Sequence, residues 1–203
     1  MSQLDENTKK LAAIAYGEAS ALNLPAEIGG IAFAVANRAR AWGGKTVNQL
    51  LSADPNYTYA ISDGNPRFKR LMEATPEAIG KDTGMALALD WATKAIANQG
   101  DDPSNGAYWW DGVDFKTNYR NHPKVKDGFQ FGDPAHNIFS VEEKSKPVTI
   151  YWKVRNKKTR KEVNSSVRGS YEYVWKSTAA HGKTIFWTHN EEYLTATGGK
   201  EYR

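Results

Sequence analysis

Residues 11–40, LAAIAYGEASALNLPAEIGGIAFAVANRAR, set two carboxylates among apolar neighbours. Glu18 follows Ala12, Ala13, Ile14, Ala15, Tyr16 and Gly17, and Glu27 opens a second apolar run that continues to Ala36. On one unbroken helix, a nine-residue step would turn the two acids to opposite faces. Ser20, Asn23 and Pro25 interrupt the helix, and Pro25 suits the first turn of a new one. The stretch therefore reads helix, short loop, helix, with Glu18 near the end of the first and Glu27 in the first turn of the second. A tight connection of this kind can bring both acids to one cleft. A first-turn glutamate also answers the positive end of its own helix dipole, so Glu27 has a purely structural explanation as well. Glu18 faces the unfavourable end of its dipole. At the edge of an apolar segment its carboxyl is expected to be partly desolvated and held protonated, the state a proton donor to a glycosidic oxygen requires.

Working outward, the first helix is expected over residues 4–19, capped by Asp5 or Asn7, and the second over 25–41, ended by Gly43-Gly44. Residues 45–70 read as loop around a short helix at 47–52. A short helix over 68–74 follows. Thr75-Pro76 then starts another, which breaks near Gly84 and ends near Asn98. Gly106-Ala107-Tyr108-Trp109-Trp110-Asp111-Gly112 is aromatic-rich, and three successive rings cannot all share one buried face. At least one is expected to be open to stack on a sugar ring. Residues 113–134 read as polar loop. From Pro147 the pattern alternates. Strands are expected at 148–155, 170–175 and 183–188, an antiparallel sheet whose first turn carries Lys157, Lys158, Arg160 and Lys161. The fold class expected is α+β, with a helical core over 1–146 and a β-rich extension over 147–203 packed on it as one compact domain.

Ala15-Tyr16-Gly17-Glu18-Ala19, then Glu27-Ile28-Gly29, then the Ala/Val-rich run closing on Asn37-Arg38 resemble the opening of the cell-wall hydrolase family of spore-cortex-lytic enzymes. A segment closing on Asp63-Gly64-Asn65-Pro66 and the aromatic stretch at 106–112 are similar to later family segments. Ala135-His136-Asn137-Ile138-Phe139 matches only in part. The resemblance covers residues 8–140. It implies a lysozyme-like, mostly helical core and cleavage of the β-1,4 bond between N-acetylmuramic acid and N-acetylglucosamine. Glu18 would be the catalytic acid and Glu27 the second catalytic Glu. Asn37 and Arg38 would be scaffold. Tyr57, Tyr59, Ser62, Asp63, Tyr108, Trp109, Trp110 and His136 would line the substrate groove. Glu27, or the spare acids Asp54 and Asp63, could hold a water for hydrolysis. Without such an acid, the sugar's own 6-hydroxyl attacks, as in lytic transglycosylases.

The 203 residues carry a net charge of +4, with seven Trp, ten Tyr and no Cys. The pI near 9.1 suits an anionic partner without choosing one. Four scattered His show no zinc-ligand spacing, so neither a metal nor a cofactor is expected. The partner expected is the peptidoglycan glycan strand, with no nucleic acid, because the aromatics are not interleaved with Lys/Arg in a nucleic-acid motif. No membrane insertion is expected, because no apolar run reaches spanning length. The N-terminus MSQLDENTKK is polar and gives no signal peptide. Action in the periplasm or wall therefore implies carriage by a secretion machine, phage lysis or a longer chain. An antibacterial toxin delivered in this way would imply a cognate immunity protein. A non-catalytic wall-binding module is the rival from another class.

Overall fold

The computed structural model describes residues 5–54 and 64–203. The class is α+β. Helix α1 (Glu6–Glu18) begins where Asp5 accepts the Thr8 N–H. Leu11 to Tyr16 are all buried, so α1 is wrapped on every side, as an all-round apolar helix must be. Its wrapping comes from α2 (Pro25–Ala41), α3 (Val47–Ala53), α4 (Pro66–Glu73) and α6 (Thr83–Ala97), with α5 (Pro76–Lys81) leading into α6. No helix among the described residues is long and apolar enough to cross a membrane.

Helix α2 is clamped on two sides, and two consecutive glycines make that possible. A methyl group at Gly29 would lie 2.7 Å from the Trp91 ring of α6, and one at Gly30 would lie 2.4 Å from Phe186. Phe186 belongs to a four-stranded sheet ordered β1-β6-β5-β2, built from β1 (Trp109–Asp111), β2 (Phe129–Gln130), β5 (Trp175–His181) and β6 (Thr184–His189). The β1/β6 and β6/β5 pairs are antiparallel; β2 joins β5 in parallel. Strand alternation gives the sheet two apolar faces. Trp110, Ala179 and Phe186 meet the helical core, while Trp109, Trp175, Ile185 and Trp187 meet a second cluster with Phe115, Val125 and Phe129.

This second cluster corrects the expectation of a polar loop over 113–134. That segment holds α7 (Asp114–Thr117), α8 (Pro123–Asp127) and β2, and it buries Phe115, Val125 and Phe129. The expected three-stranded C-terminal sheet is also corrected. Strand β3 (Val148–Arg155) pairs only with β4 (Glu162–Tyr171), whereas β5 and β6 join strands drawn from before residue 147. The β3–β4 hairpin projects from the body, with 151–155 and 161–167 exposed. Helix α9 (Glu191–Thr197) packs against its root, where Gly169 admits the backbone of Ala196.

Candidate active site at the end of the first helix

Glu18 is the last residue of α1 and is half-buried. The helix ends without a glycine, and the carbonyls left open there are met by side chains of the chain entering α4. Asn65 Nδ2 donates to the Gly17 carbonyl at 2.9 Å, and Arg67 Nε donates to that of Tyr16 at 2.7 Å. Arg67 also reaches the Ser20 carbonyl (3.3 Å) and Asn23 Oδ1 (2.6 Å), and its guanidinium lies 4.0 Å from the centre of the Tyr16 ring. A cation is thereby fixed at the negative end of the α1 dipole, offsetting the unfavourable placement of an acid there. Asn65 serves twice, since its Oδ1 accepts from the Arg67 and Phe68 N–H groups and starts α4. Asn23 adopts a left-handed φ of 52° and packs on Gly84, where a Cβ would lie 2.8 Å from its amide. The Glu18 backbone and the loop after it are thus fixed from α4 and α6.

Glu27 occupies a different environment. It is wholly buried, and both carboxylate oxygens are engaged. Ser20 Oγ donates to Oε2 at 2.5 Å; the Lys183 N–H and Thr184 Oγ each donate to Oε1 at 3.0 Å. Lys183 lies in the two-residue β5–β6 turn and Thr184 opens β6; the preceding Gly182 has φ +60°, and a Cβ there would collide with the carboxylate. Glu27 therefore ties the start of α2 to the Glu18–Pro25 loop and to the sheet. This corrects its expected role of holding water against a sugar, because an oxygen sealed by these donors does not face solvent.

The spare acid Asp54 is corrected in the same way. It is buried in an ion pair with Arg38, whose Nε donates to the Tyr202 carbonyl at 2.9 Å and whose guanidinium stands 4.9 Å from the Trp109 ring. Asn37 donates to Asp102 Oδ2 (2.8 Å) and to the Ala107 carbonyl (3.2 Å). Asp102 in turn accepts from the Ser104 and Gly106 N–H groups. The Asn37-Arg38 pair thus organises the loop leading into β1. Tyr57, Tyr59, Ser62 and Asp63 lie outside the described residues.

Tyr108, Trp109 and Trp110 are each partly buried, which corrects the expectation of a freely open ring. Trp109 meets Trp175 edge-on at 5.0 Å and His189 at 4.5 Å, and Trp110 packs on the helical core. Burial first, then the neighbouring Glu201 carboxylate, pushes the Tyr108 phenol up to about 12. His136 pairs through Nδ1 with Ser177 Oγ of β5 at 2.8 Å, and burial lowers its pKa. Its hydrogen bond is to β5, not to the end of α1.

Among the described residues, one group has the composition of a metal site: Asp111, Asp114 and His122. Its charge is already answered from within. Lys124 Nζ lies 2.9 Å from Asp111 Oδ2, and His122 Nδ1 accepts the Lys124 N–H. In the neutral ring this places the imidazole proton on Nε2, the nitrogen facing the two acids; the cationic ring carries a proton on both nitrogens and keeps Nε2 as the donor to them. Burial acts to lower the His122 pKa, but hydrogen bonds to Asp111 and Asp114 outweigh it and raise the value to about 9. The group is a partly buried ion-pair cluster, with His122 inside and Asp114 exposed.

The residues that sequence reasoning missed at the α1 end are Arg67, Ser20 and the Gly182-Lys183-Thr184 turn. The Gly29-Gly30 pair signalled only that other elements, in fact Trp91 and Phe186, approach α2 closely; it did not point to Arg67 or Ser20. The chain matches no protein-family model, no curated protein and no solved structure.

Proposed function

We propose that the protein cleaves the glycan strands of peptidoglycan, with Glu18 as the proton donor to the leaving glycosidic oxygen. The observation that carries this reading is a half-buried carboxylic acid at the end of a helix whose Leu11–Tyr16 turns are buried all round, with the carbonyls just before it held by Asn65 and Arg67. Fixing the donor in this way keeps the reorganisation needed at the transition state small. The resemblance of Tyr16-Gly17-Glu18-Ala19 and the following helix to the spore-cortex-lytic cell-wall hydrolases supports the choice of substrate.

A second reading concerns how the reaction ends, and a specific observation favours it. Hydrolysis with inversion requires a second carboxylate roughly 6.5–9.5 Å from the acid, able to hold water. Among the described residues, the candidate acids Glu27 and Asp54 are both committed to interior bonds, and Asp63 lies outside those residues. Intramolecular closure needs no such acid. Glu18 protonates the glycosidic oxygen as its bond to the muramyl C1 breaks. The muramyl 6-hydroxyl then bonds to C1 and returns its proton to Glu18, leaving a 1,6-anhydro end. Mass spectrometry of digested sacculi separates the outcomes. Products lacking one water per cut support closure, and products carrying it support hydrolysis. Intact strands after prolonged incubation would contradict the proposal.

A further inference from the structure

The surplus positive charge of this protein is concentrated in one projecting element. Residues 148–171 hold seven Lys/Arg (Lys153, Arg155, Lys157, Lys158, Arg160, Lys161 and Arg168) and a single acid, Glu162, a net of +6. The whole chain carries +4, so the remaining 179 residues carry −2. Within the arm the charges are sorted by face. Lys153 is opposite Asn164, to which its Nζ donates, and Arg155 is opposite Glu162, while Val154 pairs with Val163 on the other side. Trp152 is 54% exposed, with the Arg168 guanidinium 4.8 Å from its ring centre. An isolated two-stranded hairpin is marginal in water, and this one is held at its root alone.

From this sorting we infer that the β3–β4 arm is a docking element for the anionic glycan polymer itself, holding peptidoglycan outside the cleavage site. The inference rests on the reading of the substrate given above. A shallow ribbon with cations along one face and at its tip suits a long polyanion, because each contact is weak and the contacts add along its length. Peptidoglycan offers carboxylates on its stem peptides to the cations of one face and the tip, and sugar faces to Trp152, which by strand alternation lies beside Arg168 on the other face of the thin ribbon. A second copy of the chain fits poorly, since two arms of +6 repel.

The test is co-sedimentation with purified sacculi, using Glu18→Gln protein so that the polymer stays intact. Lys157→Glu, Lys158→Glu and Lys161→Glu together, all exposed positions, should weaken binding roughly tenfold or more, and added salt should weaken the unaltered arm in the same direction. Trp152→Ala should weaken it in a salt-independent way. With Glu18 restored, the charge-reversed arm should cleave short soluble glycan oligomers at the unaltered rate and sacculi more slowly. Equal sedimentation of the charge-reversed and unaltered arms would overturn the inference. So would arm-dependent binding to anionic vesicles or duplex DNA with none to sacculi. Arm-dependent sedimentation by a wild-type protein that cuts no strand would retain the arm's role and remove the Glu18 reading.

Discussion

Glu18 and Glu27 are nine positions apart and differ in what surrounds them. Glu27 is sealed by Ser20, Lys183 and Thr184, whereas Glu18 is half-buried at a helix end. Glu27→Gln should therefore remain folded and largely active, because Ser20 Oγ can turn from donor to acceptor. Glu27→Ala leaves buried donors unpaired and should lose about 3 kcal/mol or more, since hydrogen bonds to a charged group contribute about 1.5–3 kcal/mol each. Parallel melting and activity curves check this, and a stable but inactive Glu27→Gln would return Glu27 to the chemistry. Two histidines set opposite limbs of the pH profile. His122 has its pKa raised from 6.5 to about 9, so its stabilisation is complete below pH 6.5 and is lost as pH rises through 9. In His189, burial above all, then Lys124, depresses the value to about 4. The unfolded chain then binds a proton that the folded one does not, and stability falls as pH drops from 6.5 towards 4. Melting temperature against pH should peak near 6.5; His122→Gln should flatten the alkaline limb and His189→Phe the acid limb.

Among the elements, α2 shows how a helix interior can be specified by what it lacks. Gly30→Ala drives a methyl into the Phe186 ring and Gly29→Ala one into Trp91. Each should cost about 1–3 kcal/mol despite the better helix propensity of alanine, a loss that urea unfolding would measure. Arg67→Met should remove three hydrogen bonds at the end of α1. It should lower both stability and turnover, with turnover falling further than the loss of folded protein explains. Helices α1 and α2 were legible because Leu11–Tyr16 and Ile28–Ala36 are long apolar runs with a proline at the second start. Strand β3 was legible from its alternation and basic turn. Strand β5, WKSTAAH, was not, since small and polar residues give it no period-two signal. Phe115, Val125 and Phe129 were missed because they sit in elements of two to five residues, shorter than any periodicity can register. The burial of Glu27 depends on a hairpin more than 150 residues away, which no local pattern encodes.

At the scale of the whole molecule, the helical core and the aromatic lobe share one sheet, so the expected division at residue 146 cuts through hydrogen-bonded strands. The α+β class followed from composition and pattern. The way 109–130 and 175–189 interleave did not, because strand pairing is set by tertiary contact. Glu18 stands where α1, α4 and the loop into α2 meet, and the basic arm leaves the body from the sheet side of α9. The central claim is that one acid at the end of the buried helix delivers the proton that breaks the glycan. It is tested most directly by digesting purified peptidoglycan with wild-type and Glu18→Gln protein at matched folded concentration and counting new chain ends by mass spectrometry. The account predicts an unchanged melting temperature and a loss of several orders of magnitude in cleavage, on the order of the 10²–10⁴-fold that general acid catalysis supplies. Undiminished cleavage by the Gln variant would contradict it.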